Sequence, residues 1–310
     1  MSSRQSVALT GASGFVGRVL VARLLASGYR VRALSRSPGR CLQHEDVTEI
    51  IGDLATPGAL AELVKGSDCL IHLAAAIAGR RQRDFERVNA VGTRKLIEAM
   101  EQTHPGCRLI HISSLAARLP QISHYARSKR QAEQIVESSH LDWLILRPPA
   151  IYGPADPALA PLWRALASGW LVQTGPARAR FSLLHVDDLC DAIVHLIDRP
   201  WPLRRTACLD DGHRAGYTWS ELARLAGSLR GRPTRTLRLP RFALSLMATA
   251  NLGISYLTGH QPLLTPGKVR ELTHPDWVCG DNVALASSGW RPKRQLASAL
   301  TELPGWSTRS

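Results

Sequence analysis

The chain has 310 residues, 45% of them hydrophobic, enough to bury a sizeable core in one large domain or two small ones. Its 39 Lys and Arg outnumber 25 Asp and Glu for a formal charge of +14, but no basic stripe with interleaved aromatics appears, so nucleic acid is not an expected partner. The six cysteines (Cys41, Cys69, Cys107, Cys190, Cys208, Cys279) lie far apart without a C-x-x-C, which argues against a zinc site, and read as buried thiols of a reducing compartment.

The N-terminus enters a strand after a few polar residues, without the regions of a signal peptide, so a cytoplasmic location is expected. From there short aliphatic and β-branched runs alternate with longer helical patterns. Strands are expected at Ser6 to Thr10, Arg30 to Leu34, Thr48 to Ile51, Cys69 to Leu73, Arg108 to Ile112 and Trp143 to Leu146. Helices are expected at Phe15 to Ala26, Pro57 to Val64, Arg83 to Glu101 and Tyr125 to Ser138. This is the pattern of an α/β fold, a doubly wound parallel sheet of the Rossmann kind.

Beyond Pro148 a series of prolines, Pro149, Pro154, Pro157, Pro161 and Pro176, breaks the alternation. Strands at Leu183 to Val186 and near Ala207 to Leu209 are expected to return to the sheet, and the rest reads as a smaller, mainly helical lobe. The division is therefore 1–150 for a dinucleotide-binding domain, with 183–209 returning to it, and 151–310 for a substrate-binding lobe. The apolar segment Phe242 to Leu257 is too short and too interrupted by Ser245, Thr249, Asn251, Gly253 and Ser255 to span a bilayer. It reads as a packed helix, with peripheral membrane contact left open.

The first strand runs into Thr10-Gly11-Ala12-Ser13-Gly14-Phe15-Val16-Gly17, a G-x-x-G-x-x-G spacing that opens a helix. Glycines serve there for unusual dihedrals, for close approach of backbone to a pyrophosphate and for tight helix packing, while the helix N-terminus supplies free N–H groups. An acid at the end of the second strand would hold an NAD ribose, whereas an arginine suits the 2′-phosphate of NADP. Ser35-Arg36 stands there, with Arg40 following, so NADP(H) is favoured over NAD(H).

TGASGFVG, Gly52-Asp53-Leu54, His72-Leu73-Ala74-Ala75-Ala76, Asn89 in VNAVGT, ISS at Ile112 to Ser114 and Tyr125-Ala126-Arg127-Ser128-Lys129 follow one another in register. RPPAIYGP at Arg147 to Pro154 and HVDDL at His185 to Leu189 extend the series. The chain thereby resembles the extended short-chain dehydrogenases/reductases of the NAD-dependent epimerase/dehydratase superfamily over nearly its whole length. The resemblance implies that Gly11, Ser13, Gly14, Phe15, Val16 and Gly17 hold the cofactor, with Ser35 and Arg36 at its ribose. It implies Asp53 and Leu54 at the adenine, Ala74, Ala75 and Ala76 beneath the cofactor, and Asn89 and Pro148 beside it. Tyr125 and Lys129 would be the catalytic pair.

Tyr125 and Lys129 are four residues apart on one expected helix, so both reach the same ribose and substrate. A free tyrosine titrates near about 10 and is a poor base, but a neighbouring ammonium stabilises phenolate. Tyr125 can then exchange a proton with a substrate oxygen. Ser114, just past the fifth strand, is placed to hydrogen-bond the same oxygen, with Ser113 as its competitor. His111, His124 and His185 lack metal-ligand spacing and read as core or loop residues, and Asp187-Asp188 as charges at a helix start.

Family members acting on nucleotide sugars carry an Asn and an Arg at positions filled here by Ala150 and Phe181, with Arg178 and Arg180 as the available substitutes. That departure disfavours sugar-nucleotide epimerase or dehydratase chemistry. The chain resembles instead the branch containing 3-beta-hydroxysteroid dehydrogenases, dihydroflavonol reductases and the complex I accessory subunit. The implied activity is reduction of a ketone, or oxidation of a secondary alcohol, in a largely apolar lipid-, steroid- or flavonol-like molecule. A non-catalytic NADP-binding accessory role is the alternative, against which the retained Tyr125 and Lys129 speak. Trp163, Trp170, Trp201, Trp219 and Trp277 are candidates either for an apolar pocket or for core. A homodimer through the helices at 83–101 and 125–138 is a family expectation.

Overall fold

The computed structural model describes residues 5–197, 199, 204–280 and 288–306. Strand β1 (Ser6–Thr10) passes through the glycine loop into α1 (Phe15–Ala26) and is followed by β2 (Arg30–Ser35), β3 (Val47–Ile51), α2 (Pro57–Val64) and β4 (Cys69–His72). Helix α3 (Gln82–Glu86), a π-helical turn (Arg87–Gly92) and α4 (Thr93–Thr103) make one continuous helical stretch before β5 (Arg108–Ile112). Helix α5 (His124–Glu137) then leads to β6 (Trp143–Arg147). The remaining elements are β7 (Ala150–Tyr152), α6 (Ala160–Ser168), β8 (Trp170–Gln173), β9 (Arg180–Phe181), β10 (Leu183–His185), α7 (Val186–Ile197) and β11 (Arg205–Cys208). After them come β12 (Tyr217–Thr218), α8 (Trp219–Arg230), β13 (Arg235–Arg238), α9 (Arg241–Thr258), α10 (Pro266–Leu272), β14 (Asp276–Trp277) and α11 (Leu296–Ala299).

Seven strands form one sheet in the order β11-β6-β5-β4-β1-β2-β3, and all six pairings are parallel. Parallel strands need helical crossovers that cover both faces, which is why β4 reads Cys69-Leu-Ile-His72 with every residue buried. Leu20, Val21 and Leu24 of α1 pack with Leu189 and Ile193 of α7 on one face. Leu60 and Leu63 of α2 pack with Leu96 and Met100 of α4 on the other. The strand order reverses between β1 and β4, and their C-terminal ends open the crevice where such sheets place their ligands.

The strand expected over Leu183 to Val186 does not return to this sheet. It ends at His185 and pairs with β7, in register Leu183 to Ala150. Pro148 and Pro149, which cannot donate to a ladder, follow β6 immediately and take the chain off the sheet before β7 begins. The expectation near Ala207 holds, because β11 adds to the free edge of β6. Of the tryptophans, Trp163 is fully buried against Tyr152, with ring centroids 5.8 Å apart, and so is core. Trp219 packs on Phe181, Trp277 donates its indole N–H to the Glu271 carbonyl at 2.8 Å, and Trp170 is exposed beneath the Arg235 guanidinium. Trp201 lies outside the described residues.

Helix α5 is fixed to the sheet by one carboxylate. Glu133, with no exposed side-chain surface, accepts from Arg147 Nε at 2.8 Å and Nη2 at 2.6 Å, from Ser113 Oγ at 2.6 Å and from Arg130 Nη1 at 3.0 Å. Burial alone would raise its pKa, but the hydrogen bonds from Arg147 and Ser113 outweigh it and hold the carboxyl below the ordinary range. Its stabilising contribution is therefore complete above the unfolded value of about 4.3 and is lost as pH falls through the depressed folded value. Glu133→Gln should cost about 2–4 kcal/mol in urea unfolding at neutral pH, because the partly buried Arg147 loses its charge partner. The gap from wild type should narrow as the titration is repeated below the carboxylate range; a gap independent of pH would contradict the ion-pair account.

Candidate active site

The turn from β1 into α1 shows why glycine stands at each position. Gly11 has φ +80°, and a Cβ there would lie 2.8 Å from the Ala74 amide nitrogen. At Gly17 a Cβ would lie 2.1 Å from the Gly11 carbonyl oxygen, so α1 can begin this close to the loop only without a side chain. Gly14 precedes α1 as its N-cap, in extended conformation, and no side chain caps the helix. Neither does any acid stand in its first turn, while Ser13 and Gly14 are exposed. The residues thus fit a dinucleotide's pyrophosphate: backbone room at Gly14, free N–H groups and the positive helix end. Phe15 and Val16 are half-buried against the core, with Phe15 close to Gly153.

Ala74, Ala75 and Ala76 follow β4 as a partly buried segment held from below. The Ala74 N–H donates to Thr10 Oγ1 at 3.2 Å, and Thr10 Oγ1 shares a 2.7 Å hydrogen bond with His72 Nδ1. Asn89, in the π-helical turn, accepts from the Ala76 N–H at 2.7 Å and donates to the Ala76 carbonyl at 3.0 Å. Its amide also donates to Ser128 Oγ at 2.9 Å, and Ser128 donates onward to the Tyr125 carbonyl at 2.8 Å. Asn89 is buried and ties the alanine segment to the Tyr125 helix.

Tyr125, Lys129 and Glu133 stand at successive four-residue steps on one face of α5. The Lys129 ammonium is buried and donates to the Ile112 carbonyl at 2.8 Å, and burial, partly offset by Glu133, lowers its pKa to about 8. The Ser114 hydroxyl hydrogen-bonds Tyr125 and also caps the short 3₁₀ turn at Leu115–Arg118 through the Ala116 N–H. Ser113, the alternative to Ser114, is spent on Glu133. Tyr125 is pushed up to about 12, chiefly by burial; its hydrogen bond with Ser114 opposes this and the Glu271 carboxylate adds to it. Burial thus outweighs the effect of Ser114, and the net shift is upward.

The pair's surroundings are neutral too. His72 is lowered to about 3, first by burial and then by the Lys129 charge, and His111 falls well below its ordinary value for the same reasons. The remaining expected positions lie along the sheet edge. Ser35 is buried and donates to the Ser37 carbonyl, while Arg36 is exposed. Asp53 Oδ1 accepts from the Ala55 N–H and the Thr56 hydroxyl, starting α2, and Leu54 packs over Gly92. Pro148 is buried, its carbonyl accepting from the Leu115 N–H at 2.8 Å. Ala150 is exposed, Phe181 stacks on Trp219, and Arg180 pairs with Asp276 at 3.7 Å. Asp187 and Asp188 do open α7, and Asp188 also accepts the backbone N–H groups of Lys293 and Arg294.

Three contributors escape a motif reading. Glu133 sits one helical step beyond Lys129, so a longer look along that face would have found it. Glu49 draws the N–H groups of Gly39, Arg40 and Cys41 onto its carboxylate and so shapes the loop that carries Arg36 and Arg40. Glu271 of α10 is distant in sequence; it accepts from Ser123 Oγ, and Ser123 is the N-cap of α5.

Residues 7–204 match the model of the NAD dependent epimerase/dehydratase family. A ceramide reductase of Caulobacter vibrioides is 37% identical over 306 residues, spanning 98% of this chain and 95% of that protein. A 2-alkyl-3-oxoalkanoate reductase of Stenotrophomonas maltophilia is 29% identical over 219 residues, 62% of this chain and 64% of its own. Among solved structures, MoeE5 in complex with UDP-glucuronic acid and NAD superposes with a TM-score of 0.73 at 23% identity, covering 98% of this chain and 99% of that one. The chain belongs to the NAD-dependent epimerase/dehydratase family and is an NAD(P)-dependent oxidoreductase of the extended short-chain dehydrogenase/reductase kind.

Proposed function

We propose that this protein is an NADPH-dependent reductase that converts a ketone on a long-chain, ceramide-like lipid to a secondary alcohol. The observation that carries the reading is geometric: Tyr125 and the buried Lys129 ammonium share one face of α5, with Lys129 fixed on the Ile112 carbonyl at 2.8 Å and Ser114 beside the phenol. A neutral phenol is a proton donor, which suits reduction of a carbonyl. The similarity to a ceramide reductase across nearly the whole chain supports the substrate class. Ala150 and Phe181 offer no hydrogen bonds to a sugar diphosphate, and Arg180 is already paired, which weighs against a nucleotide sugar.

The glycine loop and the N-terminus of α1 would hold the pyrophosphate, and Arg36, with Arg40 behind it, the 2′-phosphate. When bound, the reduced nicotinamide supplies a hydride. Ser114 and Tyr125 hold the carbonyl oxygen between two hydroxyls, and Tyr125 gives it a proton as the carbon accepts the hydride. The resulting phenolate is stabilised by Lys129, so the C=O bond becomes CH–OH with charge balanced at Tyr125.

NADPH should bind the purified chain, followed by nicotinamide fluorescence, with Tyr125→Phe leaving that affinity intact while lowering kcat by about 10²–10⁴ on a long-chain keto-amide. Retained turnover in the variant would sink the assigned proton donor. Arg36→Ser should weaken NADPH by about ten-fold or more while sparing NADH, since one charge-assisted contact is lost. For wild type, kcat/KM of reduction should fall as pH rises through about 8, where Lys129 loses the proton that stabilises the phenolate.

A further inference from the structure

Helix α9 has two apolar faces, of which one is used. Leu244 and Ala248 are buried with Val269 of α10, and Ser255 continues that inner face. On the opposite side, at helical spacing, stand Phe242, Leu246, Ala250, Gly253 and Leu257. Phe242 is 75% exposed, Leu246 71% and Leu257 89%, and Met247, Ile254 and Leu263 widen the patch. After Arg241 the helix carries no charged residue at all. A surface helix whose outward face is apolar and uncharged lacks the polar face that water favours, and such patches mark an interaction site.

The charge around the patch identifies the occupant. Between Glu221 and Glu271 the chain holds seven arginines, one lysine and no Asp or Glu. Arg235 and Arg238 lie on the fully exposed β13, just before Arg241 at the start of α9. At the other end Arg80 donates to the Ser255 and Gly259 carbonyls, and both Arg80 and Arg81 lie over the Tyr256 ring. An apolar ridge with an aromatic residue and basic flanks matches the interface of an anionic bilayer, where acyl chains receive the ridge and headgroups the arginines. At 18 residues α9 is about 27 Å long, and no helix among the described residues is long and apolar enough to cross a membrane, so it would lie in the surface plane.

We infer that α9 docks this protein on an anionic phospholipid surface. Helix α9 is tied to the reaction site through its inner side, away from the exposed ridge. Arg80 and Arg81 follow Ala74–Ala76 in one loop, and α10, packed under α9, reaches Ser123 two residues before Tyr125 through Glu271. Docking therefore holds the reaction site close to the bilayer; delivery of a lipid ketone to it rests on the function proposed above, whereas docking itself does not.

The test is co-sedimentation of the full chain with phosphatidylcholine vesicles, with and without phosphatidylglycerol, beside turnover of a short-chain, water-soluble ketone. Wild type should pellet with the anionic vesicles about ten-fold more strongly than with the zwitterionic ones and should be released by high salt. Leu246→Glu/Leu257→Glu should abolish pelleting while Tm and short-chain turnover stay at wild-type values. Pelleting that ignores phosphatidylglycerol, or none at all, overturns the inference, as does a dimer in solution that the two glutamates dissociate, which would assign the face to a second copy of the chain. Docking without turnover of either this ketone or the long-chain keto-amide would sink the reductase reading alone, and turnover without docking would sink this one alone.

Discussion

A single buried carboxylate sets the geometry on which the chemistry depends. Glu133 has no water to solvate it, so its oxygens must be satisfied by Arg147 from β6, Ser113 from the end of β5 and Arg130 from its own helix. Meeting that demand fixes the rotation of α5 and its distance from the sheet. Lys129 then falls against the Ile112 carbonyl and Tyr125 against Ser114, the residue beside the one Glu133 already holds. Under the proposed function Ser114, which caps the short turn, serves the substrate, because its neighbour Ser113 is committed to Glu133.

Around this frame the protein excludes charge from the reacting groups. Burial keeps Tyr125, His72 and His111 neutral, and Lys129 is held closer to neutrality than a solvated lysine. The C-terminal part contributes Glu271, which opposes ionisation of Tyr125 while its Ser123 hydrogen bond anchors the helix start. In the proposed reaction the strand ends and helix α5 carry the reacting groups, and segments from the far end of the chain, Glu271 among them, buttress that helix.

Much of this was legible in the sequence, for local reasons. Strand β1, helix α1 and helix α2 follow from aliphatic runs, glycine spacing and Pro57, and the structure reproduces their expected bounds. Tyr125, Lys129 and Ser114 share one face or one strand end, so short spacings sufficed to group them. What failed to show was long-range. Nothing near Leu183 says that it pairs with Ala150 rather than with the main sheet, because the off-sheet path begins at two prolines some thirty residues earlier. Glu271 approaches Ser123 only through the packing of α10. The π-helical turn at Arg87–Gly92, inside a segment read as a plain helix, depends on the tertiary bonds of Asn89. The upward shift at Tyr125 comes chiefly from burial, whose depth is invisible in a four-residue motif.

The strand order also constrains how the chain assembles as it leaves the ribosome. The strands that frame the reacting groups, β1, β4 and β5, have all been made once residue 112 emerges, and α5 follows shortly after. β6, however, is an open edge until residues 205–208 arrive to pair with it, and a long excursion of the chain intervenes. Unpaired strand edges recruit other chains. A nascent product ending within that excursion would hold Ser114, Tyr125 and Lys129 and yet expose the backbone of Leu144 and Leu146 to any passing strand, an edge that β11 covers in the finished protein.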